Sequence, residues 1–413
     1  MNERAKRILT IFLFILSVCA IAFILYAMFF KPSAITPTIP KQPKAPEAAG
    51  VLTPSKEGVP SAGNVAVPSE AGGLPTAAPV AAGGVTQTVA LTTAPVSNTT
   101  ISSDGRSVNY YNKEDGRFYT IDKDGNVVKL SNQQFPDVQN TTWNRDAHKA
   151  VLEFPDGSNI VYDFQNQKQF TLPSHWEGFS FSPTTDQIAA KSIALDPNNR
   201  WLVTASDTGS NIVPIQSLGE NADRVEIKWS PNNQVVAFAD TSDILGESSG
   251  GIDSRVIYPI GKNNENFKGL QVQGLGFSPS WSPDGKELVY SVYGDYSFNK
   301  PLLWAVDATS STMGNNRRNL GLNTWADKCT WGDENTMYCA APQNLPDNAG
   351  LQPSLYEDLP DSLYRIDISN GKIFLLAIPD QNQTMKNLSV SRDQSLLYYT
   401  DSASGQLKLI HLK

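Results

Sequence analysis

Few residues in this chain have the types and spacing that catalysis requires. Gly246-Glu-Ser-Ser-Gly250 fits the G-x-S-x-G pattern of a nucleophilic serine, but such a serine sits on a turn between a strand and a helix. Polar residues precede this motif and Gly251 follows it, which indicates a loop. The three histidines, His148, His175 and His411, are scattered along the chain without an arguable triad partner. The sequence therefore predicts no catalytic residue, no metal ligand and no cofactor.

Two other motifs have a structural and a functional interpretation. Cys329 and Cys339 lie ten residues apart around a predicted hairpin. In an oxidising compartment they could form a cross-strand disulfide, and otherwise they are two small buried residues. Asp122-Lys-Asp-Gly-Asn126 resembles the start of a calcium loop, but it lacks the distal glutamate of the twelve-residue pattern. A hairpin turn is the favoured interpretation of that segment.

The elements that would position any site come from a repeat over residues 101–413. An aromatic or apolar residue, a turn of Ser-Pro-Asp-Gly type and a β-rich run recur at intervals of 38 to 59 residues, beginning at Ile101, Trp143, Phe181, Trp229, Trp281, Trp331 and Val390. Each unit continues with short alternating strands and Asp-Gly turns, which are typical of hairpins. Four strands in each of seven units predict an all-β, seven-bladed β-propeller, with six or eight blades as open alternatives.

Aromatic residues recur at the same position in most units, namely Trp143, Phe181, Trp229, Trp281 and Trp331. Aromatic rings can stack on sugars or bases, but residues at one repeat position are expected to pack between blades. The last unit offers only three strands. Residues 86–93 precede the first blade and have β character, so we expect them to close the seventh blade and cover its open edge.

The repeat resembles a known group of proteins. Trp281-Ser-Pro-Asp-Gly-Lys-Glu-Leu-Val-Tyr290 is similar to the repeat of TolB-like, WD-repeat-like bacterial propellers, and Asp361–Ile368 and Phe118–Asp122 are similar to its third strand. The resemblance covers about 101–413 and implies the propeller fold. It leaves function open, since such propellers serve as scaffolds, as binding modules and as appendages to hydrolases.

The first hundred residues predict a membrane tether. Residues 1–7 form a basic cytoplasmic tail, residues 8–30 are uncharged and long enough for a transmembrane helix, and residues 31–84 form a Pro/Ala/Gly-rich flexible linker. The basic residues before the helix favour a cytoplasmic N-terminus and an extracytoplasmic propeller over residues 85–413. A cleaved signal peptide ending at Ala20-Ile21-Ala22 and a lipoprotein site at Cys19 are the alternatives.

Charge and loop length bear on the partner. The whole chain carries a net charge of −8. Residues 1–30 contribute +2 and residues 31–100 contribute +1, so residues 101–413 carry −11. An acidic domain of this kind disfavours nucleic acid. Long insertions at 242–254, 293–301 and 342–360 are the expected contact loops, and their aromatic residues are Tyr293, Tyr296, Phe298 and Tyr356. The sequence favours a protein-binding or scaffold module, with a cell-wall polymer or glycan-binding module as the first alternative and a propeller enzyme with an axial site as the second.

Overall fold

A computed structural model of the chain describes Leu16 and residues 77–240, 254–263, 265, 267–356 and 358–413. Contacts divide the chain into two units, Met1–Glu70 and Ala71–Lys413. The predicted tail, the predicted transmembrane helix apart from Leu16, and the linker up to residue 76 lie outside the described residues. No helix in the described part of the chain is long and apolar enough to cross a membrane.

Seven β-sheets make up the second unit within the described residues. Two short strands precede the blades, β1 (Gly84–Thr86) and β2 (Val89–Ala90). Blades one to three contain β3 (Val96–Ile101), β4 (Val108–Asn112), β5 (Arg117–Ile121) and β6 (Val127–Lys129); β7 (Asn140–Trp143), β8 (Lys149–Glu153), β9 (Asn159–Asp163) and β10 (Lys168–Leu172); and β11 (Trp176–Phe181), β12 (Gln187–Ser192), β13 (Trp201–Ser206) and β14 (Val213–Ser217).

Blades four to seven continue in chain order. They contain β15 (Val225–Ile227), β16 (Val235–Asp240), β17 (Ser254–Gly261) and β18 (Leu270–Gln273); β19 (Leu275–Trp281), β20 (Glu287–Tyr293), β21 (Leu302–Asp307) and β22 (Arg318–Asn319); β23 (Cys329–Trp331), β24 (Thr336–Pro342), β25 (Asp361–Asp367) and β26 (Lys372–Pro379); and β27 (Met385–Val390), β28 (Leu396–Asp401) and β29 (Leu407–His411). Short 3-10 turns lie at Pro197–Asn199, Gly219–Arg224, Asp295–Ser297, Ala326–Lys328, Ala349–Leu351 and Pro353–Tyr356.

The first strand of each blade lies nearest the axis, because first strands of neighbouring blades contact one another, as in β3 with β7, β11 with β15 and β27 with β3. Strands alternate in direction, so all loops between second and third strands emerge at one end of the propeller. The connections that enter each first strand emerge at the same end. We call this end the upper face.

The repeated Ser-Pro-Asp-Gly segment builds the turn between the first and second strands. In blade five the Ser282 hydroxyl donates to the Asp284 carboxylate at 2.7 Å and accepts from the Glu287 N–H at 3.0 Å. Gly285 has φ +69°, a conformation that L side chains rarely adopt. The serine and the aspartate therefore recur because they make the hydrogen bonds of the turn, and the glycine recurs because it adopts the backbone conformation of the turn. The related turn of blade seven uses Ser391, whose hydroxyl donates to Asp393 at 2.7 Å.

The N-terminal segment closes the ring in two places. β2 pairs antiparallel with β29, with Val89 opposite Leu409, and becomes the outermost strand of blade seven. The segment just before it, β1, adds in parallel to β26 as a fifth strand of blade six. Ordered structure begins earlier than the expected boundary at residue 85, since Ala78 already bridges to Thr86. Residues 77–93 thus cover the outer edges of two neighbouring blades.

The repeated aromatic residues lie between blades. Three of their indole N–H groups donate to the preceding blade. Trp143 donates to the Asn98 carbonyl at 2.8 Å and Trp331 to the Ser280 hydroxyl at 3.0 Å, both in first strands. Trp281 donates to the carbonyl of Lys228, the residue just after β15, at 3.0 Å. Trp229 is buried in the cluster between blades three and four, and Phe181 packs against the cluster between blades two and three. The same side chains bury apolar area and fix each blade to its neighbour.

Candidate functional site

Two long loops of the upper face are joined to each other. They are residues 294–301 of blade five and residues 343–360 of blade six. The Asn348 N–H donates to the Phe298 carbonyl at 2.8 Å, and the Gly350 N–H donates to the Asn299 carbonyl at 2.7 Å. Lys300 and Asp347 add an ion pair at 3.0 Å. The loops therefore form one continuous surface, whereas the third long insertion, 242–254, lies outside the described residues up to residue 253.

This joined surface displays apolar side chains to solvent. Phe298 is 69% exposed, Leu351 50% and Leu355 67%, and we call these three residues the upper-face patch. Phe298 has φ +55°, a left-handed conformation that is unusual for a bulky residue and tends to occur at functional positions. Exposed large apolar residues that cluster on joined loops are typical of a protein-contact surface.

A pocket of about 240 Å³ lies beside these loops, at the junction of blades six and seven. Its walls include the apolar and aromatic residues Trp325, Pro353 and Tyr356 and the charged residues Asp327, Lys328 and Lys386. An aromatic pocket with a few charged groups on its rim can receive one apolar side chain of a partner and fix its orientation.

A buried ion pair supports the base of this pocket. The Lys328 ammonium donates to both carboxylate oxygens of Asp361, at 2.7 and 2.6 Å. Asp361 also accepts from the Met385 N–H at 2.7 Å, so it links the start of β23 to the start of β27. Burial raises the pKa of the Asp361 carboxyl, and the Lys328 charge opposes that rise. The pair therefore fixes the position of blade six against blade seven at the base of the pocket.

The axial channel carries a second set of charged residues. On the side formed by blades two to four, Glu226 lies 3.7 Å from Lys228, and Glu177 lies 3.5 Å from Lys191. Burial raises the pKa of the Glu226 carboxyl, and Lys228 lowers it. Glu226 and Glu177 therefore each have a basic neighbour. Among the described residues, no group of three or more His, Cys, Asp or Glu side chains is arranged to hold a metal ion.

The contact aromatics predicted from the sequence lie in different surroundings. Phe298 belongs to the upper-face patch, and Tyr356 lines the pocket. Tyr296 is exposed, and its hydroxyl donates to the Gln273 carbonyl at 2.8 Å. The expected placement of Tyr293 in a loop is wrong, because Tyr293 still pairs with Leu275 as the last residue of β20 and is half-buried.

Sequence reasoning missed the two leucines of the upper-face patch and the pocket residue Trp325. Leu351 and Leu355 sit in a loop of mixed polarity, where no periodicity marks them as exposed. Trp325 falls outside the repeated aromatic position and precedes Cys329 by four residues. Trp325 lies just before an inner strand, on the loop-bearing face, and this position could have indicated a surface aromatic residue.

The remaining sequence motifs lie in different parts of the propeller or outside the described residues, and they do not form a common site. Cys329 and Cys339 face each other on β23 and β24 and are joined by a disulfide. His148, His175 and His411 belong to different blades, two, three and seven. Asp122 accepts from the N–H groups of Asp124 and Asn126 at 2.9 Å, which is the geometry of a hairpin turn. Gly246–Gly250 lies outside the described residues.

The fold and its surfaces define the described part of the chain as a seven-bladed β-propeller with a loop-built upper face. No protein-family model and no curated protein matches the sequence. Similarity to solved structures is extensive, and at these low identities it shows the fold alone.

Three solved structures illustrate that similarity. The Cps50 (Swd1) β-propeller domain of Myceliophteria thermophila has 11% identity and a TM-score of 0.53, with 79% of this chain and 100% of that chain covered. An oligogalacturonate lyase in complex with manganese has 14% identity and a TM-score of 0.56, with 79% and 93% covered. Oligogalacturonate lyase from Vibrio parahaemolyticus has 12% identity and a TM-score of 0.54, with the same 79% and 93% covered.

Proposed function

We propose that this chain is a TolB-like, membrane-tethered propeller that binds a protein partner outside the cytoplasm through its upper face. The observation that carries the proposal is the upper-face patch, Phe298, Leu351 and Leu355, displayed on two loops that are joined by backbone hydrogen bonds. The occupant is a protein with an exposed apolar segment. One of its side chains enters the neighbouring pocket, and its backbone covers the patch.

Three features support protein binding. The two loops of the patch are joined by an ion pair and by backbone hydrogen bonds, which lowers the ordering entropy lost on association. The adjoining pocket is walled by Trp325 and Tyr356, and aromatic residues dominate binding energy in protein interfaces. Glu226 and Lys228 pair with each other in the channel, so their charges need no ligand to compensate them.

The tether and the compartment are supported by the sequence and by the disulfide. Residues 8–30 contain no charged residue and follow Arg4, Lys6 and Arg7, the pattern of a helix that leaves its N-terminus in the cytoplasm. The Cys329–Cys339 disulfide is typical of an oxidising compartment. Residues 31–76, poor in aromatics and rich in proline, would then hold the propeller away from the membrane.

The test is a comparative affinity purification of the full-length, C-terminally tagged chain from detergent-solubilised membranes. A triple variant, Phe298→Ser, Leu351→Ser and Leu355→Ser, removes the upper-face patch. We expect it to lose a specific co-purifying protein by tenfold or more, because buried apolar anchors each contribute about 1–3 kcal/mol to binding.

A matched control is available on another surface. Val127 and Val128 are also exposed apolar residues, on the outermost strand of blade one. Val127→Ser with Val128→Ser should leave the co-purified protein unchanged. Loss of the same protein in both variants, or in neither, would refute the upper-face assignment.

A further inference from the structure

A groove on the outer rim lies apart from the upper-face patch. It runs between blades four and five and has a volume of about 480 Å³. Tyr258 and Gln271 come from the two outer strands of blade four, Lys268 and Gly269 from the segment just before β18, and Met313 and Arg317 from the loop after β21. We call this set the rim groove. Tyr258 is exposed, whereas Met313 is fully buried and forms part of its floor.

The rim groove contains two cations without a carboxylate partner among the described residues. The ammonium of Lys268 lies 3.4 Å from the Asn315 side-chain oxygen, and the guanidinium of Arg317 lies 3.4 Å from the Gln271 carbonyl. The neighbouring Arg318 does have a carboxylate partner, since its guanidinium lies 2.6 Å from the carboxylate of Glu287. Residues 101–413 carry a net charge of −11, so two cations that share a groove and face no acid among the described residues indicate an anionic ligand.

An aromatic wall fixes one of these cations. The Arg317 guanidinium lies 4.5 Å from the centre of the Trp304 ring, a cation–π arrangement that restrains the arginine side chain. The Tyr296 ring packs edge-on to Trp304 at 6.1 Å. A guanidinium held in this way presents its N–H groups with little loss of side-chain freedom on binding.

The groove is also kept open by a glycine. A Cβ atom at position 269 would lie 2.7 Å from Val256 Cγ1 and 3.1 Å from the Tyr258 ring. A side chain there would therefore force Val256 to shift and would crowd the Tyr258 ring. The exposed tyrosine face and the two cations thus stand on the same open surface.

We propose that the rim groove binds an anionic glycan, a saccharide polymer that carries a carboxylate or phosphate beside each sugar or polyol unit. The sugar's apolar face packs on Tyr258, whose ring is apolar with a polar tip. Its anionic group accepts hydrogen bonds from Arg317 and Lys268, and Arg317 can engage both oxygens of a carboxylate or phosphate. The overall acidity of the domain disfavours the long phosphate backbone of a nucleic acid.

The experiment titrates the full-length chain in detergent micelles, by calorimetry, with four oligomers of similar length. They are mannuronate hexamer, glycerol-phosphate hexamer, neutral maltohexaose and a single-stranded thymidylate hexamer. We expect binding of at least one anionic glycan oligomer and weaker or no binding of maltohexaose. A preference between mannuronate and glycerol phosphate would identify the anionic group as carboxylate or phosphate, and either preference supports the proposal.

Variants assign any binding to the rim groove. Arg317→Gln should lower the affinity about tenfold, because a charge-assisted hydrogen bond is lost. Arg365→Gln is the matched control, since Arg365 lies 4.9 Å from the Phe374 ring in another blade; it should leave the affinity unchanged. Gly269→Ala, which crowds the groove without changing its charge, should also weaken binding.

Three results would overturn the proposal. The first is maltohexaose binding as tightly as the two anionic glycan oligomers. The second is an affinity for the anionic glycan oligomers that Arg317→Gln does not change. The third is a single-stranded thymidylate hexamer that binds more tightly than both the mannuronate and the glycerol-phosphate hexamers. Arg317 is exposed in the parent chain, so its replacement removes no buried side chain. A melting temperature equal to that of the parent chain would show that Arg317→Gln is folded.

Discussion

The ion pair between Lys328 and Asp361 allows a quantitative prediction. Its side chains are 10% and 0% exposed, and both carboxylate oxygens accept from the lysine at 2.7 and 2.6 Å. Lys328→Met keeps the length of the side chain and removes its charge. Among the described residues, the Met385 N–H is then the hydrogen-bond donor that remains for the buried Asp361 carboxylate. Breaking a buried pair in this way costs about 3–5 kcal/mol, so we expect the free energy of unfolding to fall by that amount.

The assay is urea unfolding followed by tryptophan fluorescence, with extrapolation to zero denaturant. Lys123→Met is the control, because the ion pair of Lys123 and Asp124 is exposed on both sides; we expect it to change stability by less than about 1 kcal/mol. A second variant, Lys328→Met with Asp361→Leu, should recover part of the loss, since no buried charge then remains. A loss below about 1 kcal/mol in Lys328→Met alone would refute the reasoning.

The same variant predicts a pH dependence with a definite sign. Burial already raises the pKa of Asp361 in the folded protein, and the Lys328 charge opposes that rise, so its removal raises the pKa further. A carboxyl whose pKa is higher in the folded state stabilises the fold at pH values below its unfolded pKa, and this stabilisation is lost as pH rises through the folded pKa. The destabilisation of Lys328→Met should therefore shrink as pH falls from 7 to 4. A destabilisation that grows over that range would contradict this sign.

Three further predictions concern the clasp, the disulfide and the turns. The Leu91 N–H donates to the Leu407 carbonyl at 2.8 Å, so Leu91→Pro should destabilise the fold by about 2 kcal/mol and promote aggregation in size-exclusion chromatography, whereas Leu91→Val, which keeps the N–H, should do neither. Cys329 and Cys339 close a loop with a sequence separation of 10, so Cys329→Ser with Cys339→Ser should lower the free energy of unfolding by roughly 2–3 kcal/mol, and an unchanged urea midpoint would contradict this. Hydrogen bonds from Ser395 and Ser391 hold the pKa of Asp393 well below its usual range, so the stability it contributes is present above its unfolded pKa and is lost as pH falls; the melting temperature should drop between pH 5 and 3, and less steeply in Asp393→Asn.

The repeat made the fold predictable. The turn of Ser282, Asp284 and Gly285 needs those residue types for its own hydrogen bonds and backbone geometry, so local sequence was sufficient to locate it. Seven such units predict seven blades, and the structure confirms that all-β architecture. The parallel pairing of β1 with β26 was not predictable, because Gly84–Thr86 carries no pattern that distinguishes a parallel partner in blade six from an antiparallel one in blade seven.

The candidate site was predictable only in part. Loop length and aromatic content pointed to residues 293–301 and 342–360, and Phe298 and Tyr356 lie on that surface. The joining of the two loops rests on backbone groups of Asn299 and Gly350, which no side-chain pattern reveals. The rim groove combines residues from β17, β18 and the loop after β21, so it exists only after blades four and five have packed.

The most direct test of partner binding through the upper face is site-specific photo-cross-linking in intact cells. The full-length chain carries a photoreactive phenylalanine analogue in place of Phe298, and in a parallel strain in place of Val128 on the outer strand of blade one. We predict that one discrete protein adduct forms from position 298, that position 128 does not yield it, and that Leu351→Ser with Leu355→Ser reduces it. The same adduct from position 128, or no protein adduct from position 298 although the chain is present at the cell surface, would contradict the proposed function.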